Sequence, residues 1–205
     1  YERNKEAVHN ENKYVFNCMN TDKIGIFTDT GKMHTIKAVD IPLGRFRDKG
    51  TPVDNLSNYD SSQERMLYVA PVGQLRSDRL LFVTKTSMCK LVEGAEFDVA
   101  KRTIASTKLA DEDELIFIGS ASEMEQIVLQ SHGGCFLRFL TQEVSTMKKT
   151  ALGVRGMKLA DDDYLEHAYL LAGHQEYTIS YHDKEYALNK VRLAKRDTKG
   201  IKPRI

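Results

Sequence analysis

A β-like run, a tight turn and a second β-like run recur four times along this chain at a spacing of about fifty residues. The first copy reads Ile24-Gly-Ile-Phe-Thr28, Asp29-Thr-Gly31, then Lys32 to Ile36. The second is Leu80-Leu-Phe-Val-Thr84, Lys85-Thr-Ser87, then Met88 to Val92. The third is Ile127-Val-Leu-Gln-Ser131, His132-Gly-Gly134, then Cys135 to Phe139. The fourth is Tyr177-Thr-Ile-Ser-Tyr181, His182-Asp-Lys184, then Glu185 to Asn189. The turn positions 31, 87, 134 and 184 are 56, 47 and 50 residues apart. A second element repeats in step: Lys108-Leu-Ala-Asp-Glu-Asp-Glu-Leu115 returns 50 residues later as Lys158-Leu-Ala-Asp-Asp-Asp-Tyr-Leu165. A fixed period of this size marks an architecture of stacked, similar units.

The local chemistry identifies the unit. Ile, Val, Phe, Thr and Tyr fill the runs, and Gly or Asp occupies the turns, as in β-hairpins. Long amphipathic helical patterns are absent, and only short pieces such as 121–128 have a helical look. A further strand follows each Lys-Leu-Ala acidic turn, Leu115 to Gly119 and Leu165 to Leu171. Four strands in about fifty residues make a propeller blade. The expected fold is therefore all-β and propeller-like, with about four four-stranded antiparallel blades in an incomplete disc. The boundaries fall at 1–22 (remnant of a preceding blade, with 13–19 as its last strand), 23–74, 75–122, 123–172 and a partial 173–205. The chain opens on Tyr1 rather than Met, as a segment of a longer protein would.

Five strings, in the first and third repeats, carry a family resemblance. They are Ile26-Phe-Thr-Asp-Thr-Gly-Lys-Met33 with Ile36-Lys-Ala-Val-Asp-Ile-Pro42, Lys49-Gly-Thr-Pro-Val-Asp-Asn-Leu56, and Gly134-Cys-Phe-Leu-Arg-Phe139 followed by Ala151-Leu-Gly-Val-Arg-Gly-Met-Lys-Leu159. Together they resemble the C-terminal domain of the bacterial type IIA topoisomerase A subunit, of gyrase or topoisomerase IV. The match runs over about residues 14–202 and is weakest in the second repeat, where Ala105 stands in place of the usual Gly. The resemblance implies a β-pinwheel, in which neighbouring blades exchange a strand and a basic rim bends duplex DNA. It also implies two further partners: the rest of the A subunit, with the ATPase B subunit reached through it. A bacterial cytoplasmic, nucleoid-associated location follows, and the domain takes part in supercoiling or topology change without a cofactor. The Gln-Arg-Arg-Gly-Arg-Lys-Gly box of gyrase has no counterpart; the nearest stretches are Arg45-Phe-Arg-Asp-Lys-Gly50 and Arg196-Asp-Thr-Lys-Gly200. The choice between gyrase and topoisomerase IV stays open.

Charge by position tests the DNA reading. The net charge is only +1. Windows from each hairpin turn through the following exchanged segment (32–56, 88–109, 135–159 and 185–205) hold 21 Lys and Arg against 9 Asp and Glu, or +12. The rest of the chain carries −11. A basic band separated from acidic surface is an electrostatic footprint for a phosphate backbone. The candidate DNA contacts are Lys32, Lys37, Arg45, Arg47, Lys49, Lys101, Arg102, Arg138, Lys148, Lys149, Arg155, Lys190, Arg192, Lys195, Arg196 and Lys199.

Other chemistries are poorly supplied. His132-Gly-Gly-Cys135 with His182 lacks the second ligand pair of a zinc site, so no metal is expected. The acidic runs lack the glycine and terminal Glu of a calcium loop and read as solvated turns. No nucleophile constellation, phosphate loop or dinucleotide fingerprint occurs, so no catalytic residue is expected. Cys18 and Cys89 read as buried apolar positions, and three scattered cysteines suit a reducing cytoplasm. The alternative from another class is a protein-binding β-propeller scaffold. The single Gly133-Gly134 doublet and the absence of Trp set the chain apart from kelch and WD40 blades.

Overall fold

A computed structural model describes residues 5–204. α1 (Lys5–Glu11) precedes β1 (Lys23–Thr28) and β2 (Lys32–Lys37). After a long connection come β3 (Met66–Pro71), α2 (Val72–Leu75), β4 (Arg79–Thr84), β5 (Met88–Glu93) and β6 (Thr103–Ala105). Next are β7 (Leu115–Ser120), β8 (Gln126–Ser131), β9 (Phe136–Leu140) and β10 (Val154–Arg155). β11 (Leu165–Leu171), β12 (Thr178–Tyr181) and β13 (Lys184–Ala187) complete the set. All four expected hairpins form.

The sheet orders reveal the exchange. The first sheet runs β3-β1-β2-β6 and the second β7-β4-β5-β10. Thus β6, which follows the second hairpin, pairs with β2 of the first, and β10 follows the third hairpin but pairs with β5 of the second. The third sheet is β11-β8-β9, and an antiparallel bridge between Phe136 and Ile201 takes the position of an exchanged strand. The fourth is the β12-β13 hairpin alone. Among the described residues there are four sheets: the first two have the four strands expected of a blade, the third has three, and the fourth, expected as a partial blade, has two.

The first three repeats are built by the same local devices. At the hairpin turn, Gly31 and Gly134 have φ of 75° and 80°, the left-handed region that glycine enters without strain. Ser87 occupies the same place at φ 72°, and its hydroxyl accepts the Met157 amide at 2.7 Å. A serine there tolerates the strained backbone while anchoring the segment after β10. The hairpin pairings with β3, β7 and β11 each contain one register shift near the hairpin turn, a bulge that adds twist.

Sheets stack face to face, so the inner strands have two dry faces. Leu80 and Phe82 of β4 join Phe27, Met33 and Phe97 between the first and second sheets. Leu81 and Val83 of the same strand join Ile127, Leu129, Leu137 and Phe139 between the second and third. Val128 and Phe136 pack against Leu188, Val191 and the half-buried Ile179 and Tyr181 of the fourth hairpin. The free face of the first sheet is covered from within: Ile26 and Ile36 meet Tyr59, Val53 and Leu56 from the β2–β3 connection.

Four expectations need correction. Residues 13–19 form no strand; Tyr14 instead donates its hydroxyl to the Leu67 carbonyl at 3.0 Å. Residues 121–125 turn and 126–131 are β8, because Ile127 and Leu129 are needed in a strand register between two sheets. Cys89 is buried as expected, while Cys18 is exposed. Strand pairing makes Thr103-Ile-Ala-Ser106 the equivalent of Gly153-Val-Arg-Gly156, so Ala105, opposite Lys32, occupies the place that Arg155 holds opposite Met88, and Thr103 and Ser106 stand in for the two glycines.

Candidate nucleic-acid interface

The edge strands separate two surfaces. β7 packs against both β3 and β11, so this edge of the sheets converges. The exchanged β6 and β10 lie at the opposite, outward edge. The hairpin turns mark one end of the sheets, and the connections leaving β2, β5, β9 and β13 begin at the other.

Acidic turns occupy the hairpin end. Asp113 accepts the Thr86 amide at 3.1 Å and its hydroxyl at 2.5 Å, and Asp163 accepts the Gly133 amide at 2.8 Å. The third acid of each acidic turn therefore clamps the hairpin turn of its own repeat. Burial works against the Asp163 carboxylate, yet hydrogen bonds from Gly133, Ser131 and Tyr164 with the nearby His132 hold its pKa below the usual range. In the first sheet Glu64 takes this part. Burial opposes its charge too, but Thr28, Thr30, His34 and the Asp60 amide together bring its pKa down. Its carboxylate lies 2.8 Å from His34 Nε2 in a buried pair. Asp111, Glu112, Asp161 and Asp162 face solvent beside these clamps.

Most candidate cations lie on the connections; Lys32 and Lys37 are on β2, Arg138 on β9 and Arg155 on the exchanged β10. Lys32, Lys37, Arg45, Arg47, Lys49, Lys101, Arg102, Lys148, Arg155, Lys190, Arg192, Lys195 and Lys199 are exposed. Lys148 pairs with Glu96 at 3.4 Å while staying 82% exposed. Arg155 makes a two-pronged contact with Asp197, which raises the pKa of the arginine and lowers that of the acid. The other eleven make no side-chain hydrogen bond or ion pair among the described residues, leaving their charge free for an outside anion.

Arg138, Lys149 and Arg196 differ. Arg138 donates to Gln126 and to the Asn189 and Val191 carbonyls, tying the third sheet to the fourth repeat. Lys149 donates to the Glu96 carbonyl and Arg196 to the carbonyls of Glu143 and Arg155. These three are half-buried, with donors already engaged inside the domain. The buried Lys90, outside the candidate set, reaches the Lys149 and Ala151 carbonyls at 2.9 and 2.6 Å. Burial pushes its pKa down to about 8, against a smaller upward pull from Glu96. His132 meets Glu166 at 2.7 Å and stacks on Tyr164.

The family model described as "DNA gyrase C-terminal domain, beta-propeller" matches residues 78–122 and 125–172. The residues of these two stretches belong to that family. Each matched stretch holds one hairpin, the strand passed to the preceding sheet and the converging edge strand, so the family's unit is the repeat with its exchange. The DNA gyrase A subunit of Ureaplasma parvum is 28% identical over 85% of this chain, and that of Salmonella typhimurium 31% over 69%. The DNA topoisomerase 4 counterpart from Bacillus subtilis, again the A subunit, is 29% identical over 74%. The chain spans 21%, 16% and 19% of these relatives, about a fifth of their length. Among solved structures, the C-terminal domain of DNA topoisomerase IV superposes with a TM-score of 0.80 at 23% identity, covering 95% of this chain and 65% of that one. The E. coli ParC C-terminal domain gives 0.75 at 15% identity, covering 94% and 80%. The fold is that of the gyrase and topoisomerase IV C-terminal domains. No helix among the described residues is long and apolar enough to cross a membrane.

Proposed function

We propose that this domain binds duplex DNA along its outward basic edge and bends it for a bacterial type IIA topoisomerase. The observation that carries the reading is the set of eleven exposed cations, without a side-chain partner among the described residues, at the two ends of β2 and along the connections leaving β2, β5 and β13. The acidic turns with Asp113 and Asp163 lie at the hairpin end of the sheets. Distant acids are screened beyond about 8–10 Å at physiological salt, so the local track governs binding despite the near-neutral total. Contacts spread over successive sheets would offset a bending cost on the order of 1–10 kcal/mol. Readout is of backbone and deformability, because no described helix is placed to enter a groove. The domain is an accessory part without a catalytic centre. Its working partners are the rest of the A subunit together with the B subunit, in the bacterial cytoplasm.

The test is duplex binding by fluorescence anisotropy across a salt series, on several unrelated sequences. Binding should be sequence-tolerant, with log K falling by about 0.9 per phosphate neutralised. The chain alone should neither cleave DNA nor hydrolyse ATP. Binding that ignores salt, or none at low salt, overturns the reading and favours a protein-recognition scaffold.

A further inference from the structure

The connection leaving β2 carries apolar side chains that the fold does not use. Val39 is 65% exposed, Ile41 36%, Leu43 104% and Phe46 39%. Single exposed hydrophobic residues are ordinary; four within eight residues, interleaved with Arg45, Arg47 and Lys49, call for an occupant. The connection is closed on either side of its tip. The Ile41 amide donates to the Ala38 carbonyl at 3.1 Å, and the Asp48 amide to the Arg45 carbonyl at 3.0 Å. The Asp48 carboxylate accepts the Arg45 amide at 2.7 Å. Leu43 thus projects between two short turns, and the nearest acid is engaged by backbone, leaving the Arg45 and Arg47 guanidiniums free.

An apolar tip flanked by cations complements a narrow groove with phosphate walls and stacked bases at its floor. We propose that Leu43, backed by Phe46, is a wedge that enters the minor groove of bound duplex and opens a flexible base step, while Arg45, Arg47 and Lys49 hold the flanking phosphates. Apolar wedges of this kind unstack a step and kink the duplex. Pyrimidine–purine steps open most easily, so the wedge selects sequence by deformability without touching base edges. A protein groove would also accept Leu43 and Phe46, but three cations within seven residues favour a polyanion. The inference rests on the DNA-binding reading above.

The experiment uses the whole chain with end-labelled duplexes of about 30 base pairs, the bend being read by energy transfer. One duplex has a central TpA step and the other a stiff A-tract. The native sequence should bend the TpA duplex and bind it about tenfold more tightly than the A-tract. The double variant Leu43→Ala/Phe46→Ala, altered only at exposed positions, should keep its melting temperature and its salt dependence. Its bend should shrink by about 20° or more, and its TpA preference should vanish. The variant Arg45→Ala/Arg47→Ala should lose about 1.8 from the salt slope. An unchanged bend and preference in the apolar variant overturns the wedge while leaving DNA binding standing. Absence of duplex binding by the native chain overturns both. Self-association in sedimentation that the apolar variant abolishes would assign the loop to a second copy and overturn the wedge.

Discussion

The second sheet and the fourth hairpin are built on copies of one repeating unit, yet they sit in different surroundings. In β4, Leu80, Leu81, Phe82 and Val83 are all at most 1% exposed, because alternate residues pack on different neighbouring sheets. In β12, Ile179 and Tyr181 turn toward the third sheet while Thr178 and Ser180 face water. The sequence follows this difference: a strand dry on both faces is a continuous apolar run, Leu-Leu-Phe-Val, and a strand dry on one face alternates, Thr-Ile-Ser-Tyr. Hydrophobic pattern within a repeat protein thus counts neighbours, and departures from the consensus locate one-sided units.

The largest way to break the comparison is truncation. Phe82→Ala should cost about 3–5 kcal/mol, since neither neighbouring sheet can collapse into the space. Ile179→Ala, half-buried on one side, should cost roughly 1–2 kcal/mol. Urea unfolding followed by circular dichroism measures both, and equal losses would contradict the one-sided description of the fourth hairpin.

A smaller effect separates two fastenings of the exchanged chain. Lys90 ties the second sheet to carbonyls at 149 and 151, and Arg138 ties the third sheet to carbonyls at 189 and 191. Lys90 has a pKa lowered to about 8 by burial, so the unfolded chain binds more protons than the folded one between about pH 8 and 10.4. Stability from this group therefore rises with pH through that window, by on the order of 1–3 kcal/mol. The stability gap between the native chain and Lys90→Met should widen from pH 7 to pH 10, while the gap for Arg138→Met stays flat. A narrowing gap for Lys90→Met would show that its ammonium is not held in a dry site.

Much of the fold was legible because hairpin chemistry is local. Ile24 to Ile36 and its three echoes declare strand, turn and strand by residue type alone. The exchange of β6 and β10 came from the family resemblance, since pairing between residues such as Met33 and Ile104 leaves no local trace. The same non-locality misplaced Ala105: only the pairing partner reveals that Thr103 and Ser106 hold the glycine positions. Residue type also overstated Arg138, Lys149 and Arg196 as free charges, because a carbonyl acceptor has no signature in sequence. The clamping acids Asp113 and Asp163 were readable in principle, since they recur at the same offset from their hairpin turns.

The most direct test of the basic track compares two sets of cations by salt dependence. Lys190, Arg192, Lys195 and Lys199 are exposed and unpaired on the connection leaving β13, whereas Arg65, Arg76 and Lys85 pair with Asp29, Asp98 and Glu114 away from it. Replacing the first four together by Ala should lower the slope of log K against log salt by up to about 3.6, on every sequence alike. Replacing Arg65, Arg76 and Lys85 should change it by less than about 1. Equal changes from the two sets would contradict a DNA track along the outward edge.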